Sequence, residues 1–204
     1  MSSITSHDTP FPLVKADQIA QSLVPHSHFL YPKASINIAR MSDMVGMKGF
    51  GVNFVKLDPE AESTCIHYHL IDSEWIYVLA GSGVLQLVDA GITVYDSRQQ
   101  IKDAMASESS SATPSVLSDD SSPVKHTITE HLISKGDFMG FPGGLGSRKY
   151  AHGLKAGKDG MEYLVGGTRN KNDVCCYPLA GKTVAYDKFD FGAMLLPGQT
   201  KSRY

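Results

Sequence analysis

Cys65-Ile66-His67-Tyr68-His69-Leu70-Ile71-Asp72-Ser73-Glu74, closed by Gly81, places two imidazoles and a carboxylate within eight residues of a run that otherwise reads as β-strand. Strand side chains alternate between faces, so Cys65, His67 and His69 fall on one face and Ile66 and Tyr68 on the other. After a four-residue loop beyond His69 a second run begins, in which Glu74, Ile76 and Val78 share one face and Trp75 and Tyr77 the opposite one. Folded back beside the first run, it sets its carboxylate alongside the imidazoles. Two His and one carboxylate are the ligand set of open mononuclear metal sites, non-haem iron above all.

Outward from this segment the chain keeps the same texture. Ser35 to Ala39, Gly51 to Leu57, Ser63 to His69, Glu74 to Leu79, Val84 to Val88, His126 to Ile133 and Met161 to Gly166 read as strands. Leu57-Asp58-Pro59-Glu60 and Gly81-Ser82-Gly83 read as turns. Helical periodicity is confined to Lys15 to Leu23, where Val14, Ile19 and Leu23 fall roughly on one face. An all-β sandwich or barrel is the fold class this predicts. Ser107 to Ser122 holds eight serines and the acidic pair Asp119-Asp120 but few large apolar residues. It cannot bury enough surface to offset its ordering entropy. The predicted organisation is an N-terminal arm over 1–40 and one barrel over 41–178, interrupted by a flexible insertion at about 96–125. A tail over 179–204 then wraps the outside.

Composition narrows the function classes. The 204 residues suit one domain, and 42% hydrophobic residues suffice for a packed core. A net charge of −2 without a Lys/Arg cluster argues against a nucleic-acid partner. No apolar run has transmembrane length. Met1 to Pro12 is polar and lacks the apolar block of a secretory signal, and three cysteines, two of them adjacent, make no disulfide framework. A cytoplasmic protein with reduced thiols is the expectation.

At these residues the chain resembles the cupin superfamily. The first cupin motif runs glycine, five residues, His-x-His, three or four residues, Glu, six residues, Gly, and His67, His69, Glu74 and Gly81 match it. Its opening glycine is replaced by Glu60-Ala61. The second motif runs Gly, five residues, Pro-x-Gly, two residues, His, three residues, Asn; Gly136, Pro142 and Gly144 match. Ser147 stands where its His is expected, His152 follows five residues later, and a short insertion, Ser147 to Ala151, reconciles the two. The resemblance covers about Gly51 to Tyr177, and the ending Gly166-Gly167-Thr168-Arg169 with Asp173 and Tyr177-Pro178 is similar to that of small single-domain cupins. It implies a double-stranded β-helix, or jelly-roll, barrel and a metal held by His67, His69, Glu74 and His152.

Around these ligands several residues carry two readings each. Cys65 is either a soft auxiliary ligand or a small core filler. Phe138, Met139, Phe141, Met161 and Tyr163 are candidates for an apolar pocket beside the metal, or simply packing. Arg148 either reaches the barrel mouth, to hold an anionic substrate, or is a solvated loop charge. His26-Ser27-His28, between Pro25 and Pro32, reads as a loop with no part in the site. Trp75 and Tyr77 suit a contact in a homodimer, or cover by the arm or tail. The cofactor expected is one divalent first-row ion, Fe2+ first and Mn2+, Ni2+, Cu2+ or Zn2+ as alternatives. The chemistry expected is that of a dioxygenase on a small organic molecule, with Glu74 catalytic. A non-oxidative lyase, decarboxylase or isomerase is the alternative, and a non-catalytic binding protein the third reading.

Overall fold

Short runs of β-branched and aromatic residues, punctuated by Gly and Pro, favour strands over helices. The computed structural model describes residues 10–91 and 126–187 and the backbone of 192–195. The serine-rich segment at 96–125 lies outside the described residues. The strands are β1 (Val24–His28), β2 (Tyr31–Ala39), β3 (Phe50–Leu57), β4 (Tyr68–His69), β5 (Glu74–Val88), β6 (Ile128–Ser134), β7 (Phe138–Phe141), β8 (Ala151–Thr168), β9 (Asn172–Tyr177), β10 (Lys182–Asp187) and β11 (Gly192–Leu195). Two short α-helices, α1 (Ala16–Gln21) and α2 (Met41–Met44), flank the hairpin of β1 and β2. No helix among the described residues is long and apolar enough to cross a membrane.

One sheet has the order β1-β2-β3-β8-β5-β6, with β7 also paired to β5, and the second has the order β11-β10-β9-β4. All these pairings are antiparallel. This is the expected all-β jelly roll. Ile38, Val55, Leu57, Ile76, Val78, Leu154 and Tyr163 form the core along the inner face of the larger sheet. Burial of each large aliphatic side chain contributes about 1.5–3 kcal/mol. A smaller cluster of Cys65, Cys175, Tyr177, Ala180 and Val184 lies at the second sheet.

Several elements differ from the sequence reading. Helix α1 is shorter than Lys15 to Leu23, because Val24 already pairs with Ile38. The hairpin of β1 and β2, assigned to an arm, extends the larger sheet through β3. As the outermost strand, β1 tolerates Pro25 because one of its edges needs no ladder partner. Glu74 to Leu79 and Val84 to Val88 are one strand. Gly81-Ser82-Gly83 is not a turn but an irregularity within it, where the register against β8 shifts. The neighbouring backbone comes so close that a Cβ on Gly81 would lie 2.2 Å from the Gly160 carbonyl oxygen. Here the glycines mark close approach rather than chain reversal. The region after 179, expected to wrap the outside, instead adds β10 and β11 to the second sheet and buries Val184.

The missing motif glycine leaves a trace. Ala61 N–H donates to the Asp58 carbonyl at 3.1 Å, closing a four-residue turn with Pro59 second and Glu60 third. Glu60 has φ 60°, the one non-glycine residue with positive φ among the described residues. Proline second and positive φ third are the marks of a type II turn, whose third position favours Gly. Glu60→Gly is therefore expected to stabilise the chain by about 0.5–1 kcal/mol. Its ion pair with Lys155 at 3.4 Å is exposed and offsets little of that. Urea denaturation measures the difference, and a loss of stability would show that the turn does not strain Glu60.

Candidate metal centre

The two sheets are stitched where the imidazoles sit. His67 N–H donates to the His152 carbonyl at 3.1 Å and His152 N–H to the His67 carbonyl at 2.8 Å. Residues directly opposite in an antiparallel pair present their side chains on the same face, and the two rings lie 5.0 Å apart, centroid to centroid. The run Ser63 to His69 is not one strand: it bends at Thr64 and Cys65, makes an isolated bridge at His67, and enters β4 only at Tyr68. The faces still alternate: Ile66 and Tyr68 share one cluster, while Cys65 packs with Cys175 and Tyr177 beside His67, as a core filler absent from the cavity lining.

The insertion before His152 is a 3-10 helix, Leu145–Tyr150. Ser147, standing where the motif has its His, donates its hydroxyl to the His69 carbonyl at 2.8 Å. The extra turn is thus bonded to the segment it displaces. His152 is the second residue of β8 and is only 2% exposed.

Each imidazole is held at Nδ1. That of His67 lies 3.0 Å from the Cys65 carbonyl, that of His152 3.2 Å from the Tyr150 carbonyl, and that of His69 2.6 Å from Asp173 Oδ2. A neutral ring that donates from Nδ1 leaves Nε2 with a free lone pair, the arrangement of a metal-ligating histidine. The Nε2 atoms of His152 and His69 lie 3.2 and 3.8 Å from the two oxygens of Glu74. The ligand atoms of His67, Glu74 and His152 lie within 4.8 Å of one another, and so do those of His67, His69 and Cys175. This donor set fits a divalent first-row ion.

Burial, with His69 and His152 close by, lowers the His67 pKa to about 3, so its ring is neutral and available as a donor. Burial alone would raise the Glu74 carboxyl. The interaction with His152, and then with His67 and His69, outweighs it and holds the carboxyl down at about 2. Tyr163 is pushed up, mainly by burial and then by Glu74, and stays a hydroxyl donor.

Of the other predicted residues, Tyr163 lines a cavity of about 230 Å3 that opens on His67, Glu74 and His152. Phe138 does not: it is 65% exposed and stacks on Trp75 outside the barrel, because β7 turns Met139 and Phe141 inward instead. Phe141 lies flat against His152, ring centroids 3.5 Å apart. Arg148 lies in the 3-10 helix and is not among the residues lining that cavity. His26-Ser27-His28, read as a loop, is strand β1, and both imidazoles line the cavity.

The sequence reading missed two partners on β9. Asp173 is 1% exposed; its second oxygen accepts the Asp72 backbone N–H at 3.2 Å. Asp72 in turn accepts from Thr168 Oγ1 and from the Asn170 backbone and side chain. Cys175 pairs in register with His69, and burial pushes its thiol up. Strand alternation puts 173, 175 and 177 on one face, and this was the available signal. Asn53, two residues before Val55, lines a second small cavity with His69 and Glu74; its buried Oδ1 has no hydrogen-bond partner among the described residues.

Comparison with known proteins agrees with this geometry. The family model described as Cupin matches residues 22–177. A crystal structure from Acidithiobacillus ferrooxidans, provisionally described as a sugar phosphate isomerase, is 25% identical over 90% of this chain and 90% of its own, with a TM-score of 0.64. A second, described as a cupin-superfamily sugar phosphate isomerase of Silicibacter pomeroyi, is 22% identical over 87% of this chain and 89% of its own, with a TM-score of 0.58. No curated protein matches.

Two outcomes follow from the anchored imidazoles and their pKa values. Asp173→Asn keeps the acceptor but removes the charge behind His69, and should weaken zinc or manganese affinity roughly 10- to 100-fold in a chelator competition titration. Unchanged affinity would dissociate Asp173 from the site. Both downward shifts mean that the unfolded chain takes up protons the folded chain refuses. Stability linked to His67 is full above its ordinary 6.5 and lost as pH falls toward about 3; that linked to Glu74 is full above 4.5 and lost toward about 2. The metal-free chain should lose ~5 °C or more of Tm between pH 7 and pH 4. A flat Tm over that range would contradict the buried, neutral state of His67.

Proposed function

The chain belongs to the cupin family, and on that premise we propose a metal-dependent isomerase acting on a phosphorylated sugar, with His67, His69, Glu74 and His152 as ligands. The observation that carries the metal assignment is that three imidazoles, each tied back at Nδ1, stand around one carboxylate. The isomerase alternative displaces the dioxygenase expectation. That expectation leaned on ligand type and on the frequency of such enzymes in the family, whereas the likeness at 25% identity spans nine-tenths of both chains.

A divalent ion in this ligand set supplies Lewis-acid polarisation of a carbonyl and its neighbouring hydroxyl. Glu74, kept as a carboxylate by the imidazoles around it, serves as a ligand and is the one carboxylate lining the cavity. Tyr163, kept protonated, donates its hydroxyl to a substrate oxygen in the cavity. Phe141 fixes the plane of His152 and keeps water from that side of the ring. Ile36, Ile38, Ile76 and Val165 give the cavity an apolar wall for the C–H face of a sugar.

Metal analysis of the purified protein, followed by anaerobic incubation with aldose and ketose phosphates in D2O, tests the reading. Deuterium entering at C2 with interconversion of the sugars is the expected NMR result. His67→Ala should lose both metal and exchange while keeping the wild-type circular dichroism spectrum. Stoichiometric oxygen uptake would return the protein to the oxygenases, and absence of affinity for any first-row ion would make it a non-catalytic cupin.

A further inference from the structure

We propose that the hairpin of β1 and β2 forms an anion subsite in which His26, His28 and Arg40 hold the substrate's phosphate. The proposal takes its reaction from the isomerase reading, but the binding it describes stands on the geometry of the hairpin.

Register links the hairpin to the metal centre. His26 pairs with Ile36 and Val24 with Ile38; Ile38 pairs with Val55, and Val55 with Tyr163. Directly paired residues share a face, so one inner surface runs from the hairpin to Tyr163 and the metal centre. The cavity of about 230 Å3 spans that surface, with His26, His28 and Arg40 among its walls. Glu74 is the one carboxylate lining it, and it is engaged by His152 and His69. The hairpin end therefore lines the cavity with nitrogen donors and no carboxylate; the nearby Glu62 is held by Tyr31, which pairs with His28.

The donors are free and one is fixed. Neither Arg40 nor His26 has a side-chain hydrogen bond or ion pair among the described residues, and Asp43, three residues from Arg40, is taken by Arg169. His28 Nδ1 accepts the Leu30 backbone N–H at 3.2 Å, which places the proton of the neutral ring on Nε2. Phe29 stacks on that ring at 5.0 Å and Tyr177 meets it edge-on at 5.2 Å. Tyr177 is also 5.8 Å from His67, so a single aromatic ring separates the His28 donor from the metal centre. That suits a short carbon chain with a carbonyl at one end and a phosphate at the other. The planar fork of an arginine matches two phosphate oxygens, and imidazole N–H groups take the third.

Calorimetric titration of the full metal-loaded chain with inorganic phosphate and, separately, with succinate tests the subsite. Phosphate should bind more tightly than succinate, and Arg40→Ala and His26→Ala, both at exposed positions, should each weaken it about tenfold. Arg40→Lys should recover part of the loss. Metal content unchanged from wild type shows that the variants are folded. Equal phosphate affinity in wild type and both variants, or tighter binding of succinate, would overturn the proposal. With substrates, the preference for a sugar phosphate over the free sugar, read as kcat/KM, should fall about tenfold in Arg40→Ala. An undiminished preference would overturn the subsite while leaving the isomerase standing. Phosphate binding that depends on Arg40 without any sugar turnover would leave the subsite standing and sink the isomerase.

Discussion

His67 and His152 exchange both of their backbone hydrogen bonds, at 3.1 and 2.8 Å, and the architecture of the site hangs on that exchange. It links the segment that leads into the second sheet with the first turn of β8, a strand of the larger sheet. The same pairing that joins the sheets forces two imidazoles onto one face. Barrel closure and ligand convergence therefore coincide, and His69, Glu74 and His152 stand on strands while His67 is held by this bridge, so backbone pairing fixes all four.

Around this pair the protein spends buried polar groups on orientation. Asp173 holds His69, Asp72 is held through its backbone by Asp173, and Thr168 and Asn170 hold Asp72. Residues 70–73, between the first-motif histidines and Glu74, are fixed to the far end of β8 by this relay. Buried carboxylates are costly when unpaired, and here both oxygens of Asp173 and Oδ1 of Asp72 have donors. Ser147 makes the comparable bond from the other side, tying the inserted 3-10 helix to the back of His69. The irregular second motif is thereby accommodated without moving the imidazole out of reach: the insertion adds a turn of helix outside the barrel and β8 begins later.

An all-β fold was legible in the chain because strand periodicity and turn residues are local signals, the jelly roll followed from the resemblance of the two motifs, and His67, His69 and Glu74 were legible because they lie close in sequence at a characteristic spacing. Less was legible where backbone geometry departed from regular strand. The bend at Thr64 and Cys65 interrupts the strand expected over Ser63 to His69, and Gly81 continues a strand that its composition argues should end. Phe138 and Phe141 differ by three residues and therefore by one face of β7, a distinction that needs the register against β5.

The sequence by itself determined the all-β fold class and brought His67, His69 and Glu74 forward as candidate ligands, since these follow from neighbours along the chain, while His152 came from the spacing of the second motif. Only the tertiary structure decided what stands behind and in front of those residues. Asp173 is 104 positions from His69 and reaches it because β9 pairs with β4. His26 and His28, which local context assigns to a loop, become a wall of the cavity because their hairpin joins the sheet edge and curls over its inner face. Contacts of that range are set by which strands pair and how the sheet bends, and no local pattern of residues encodes either.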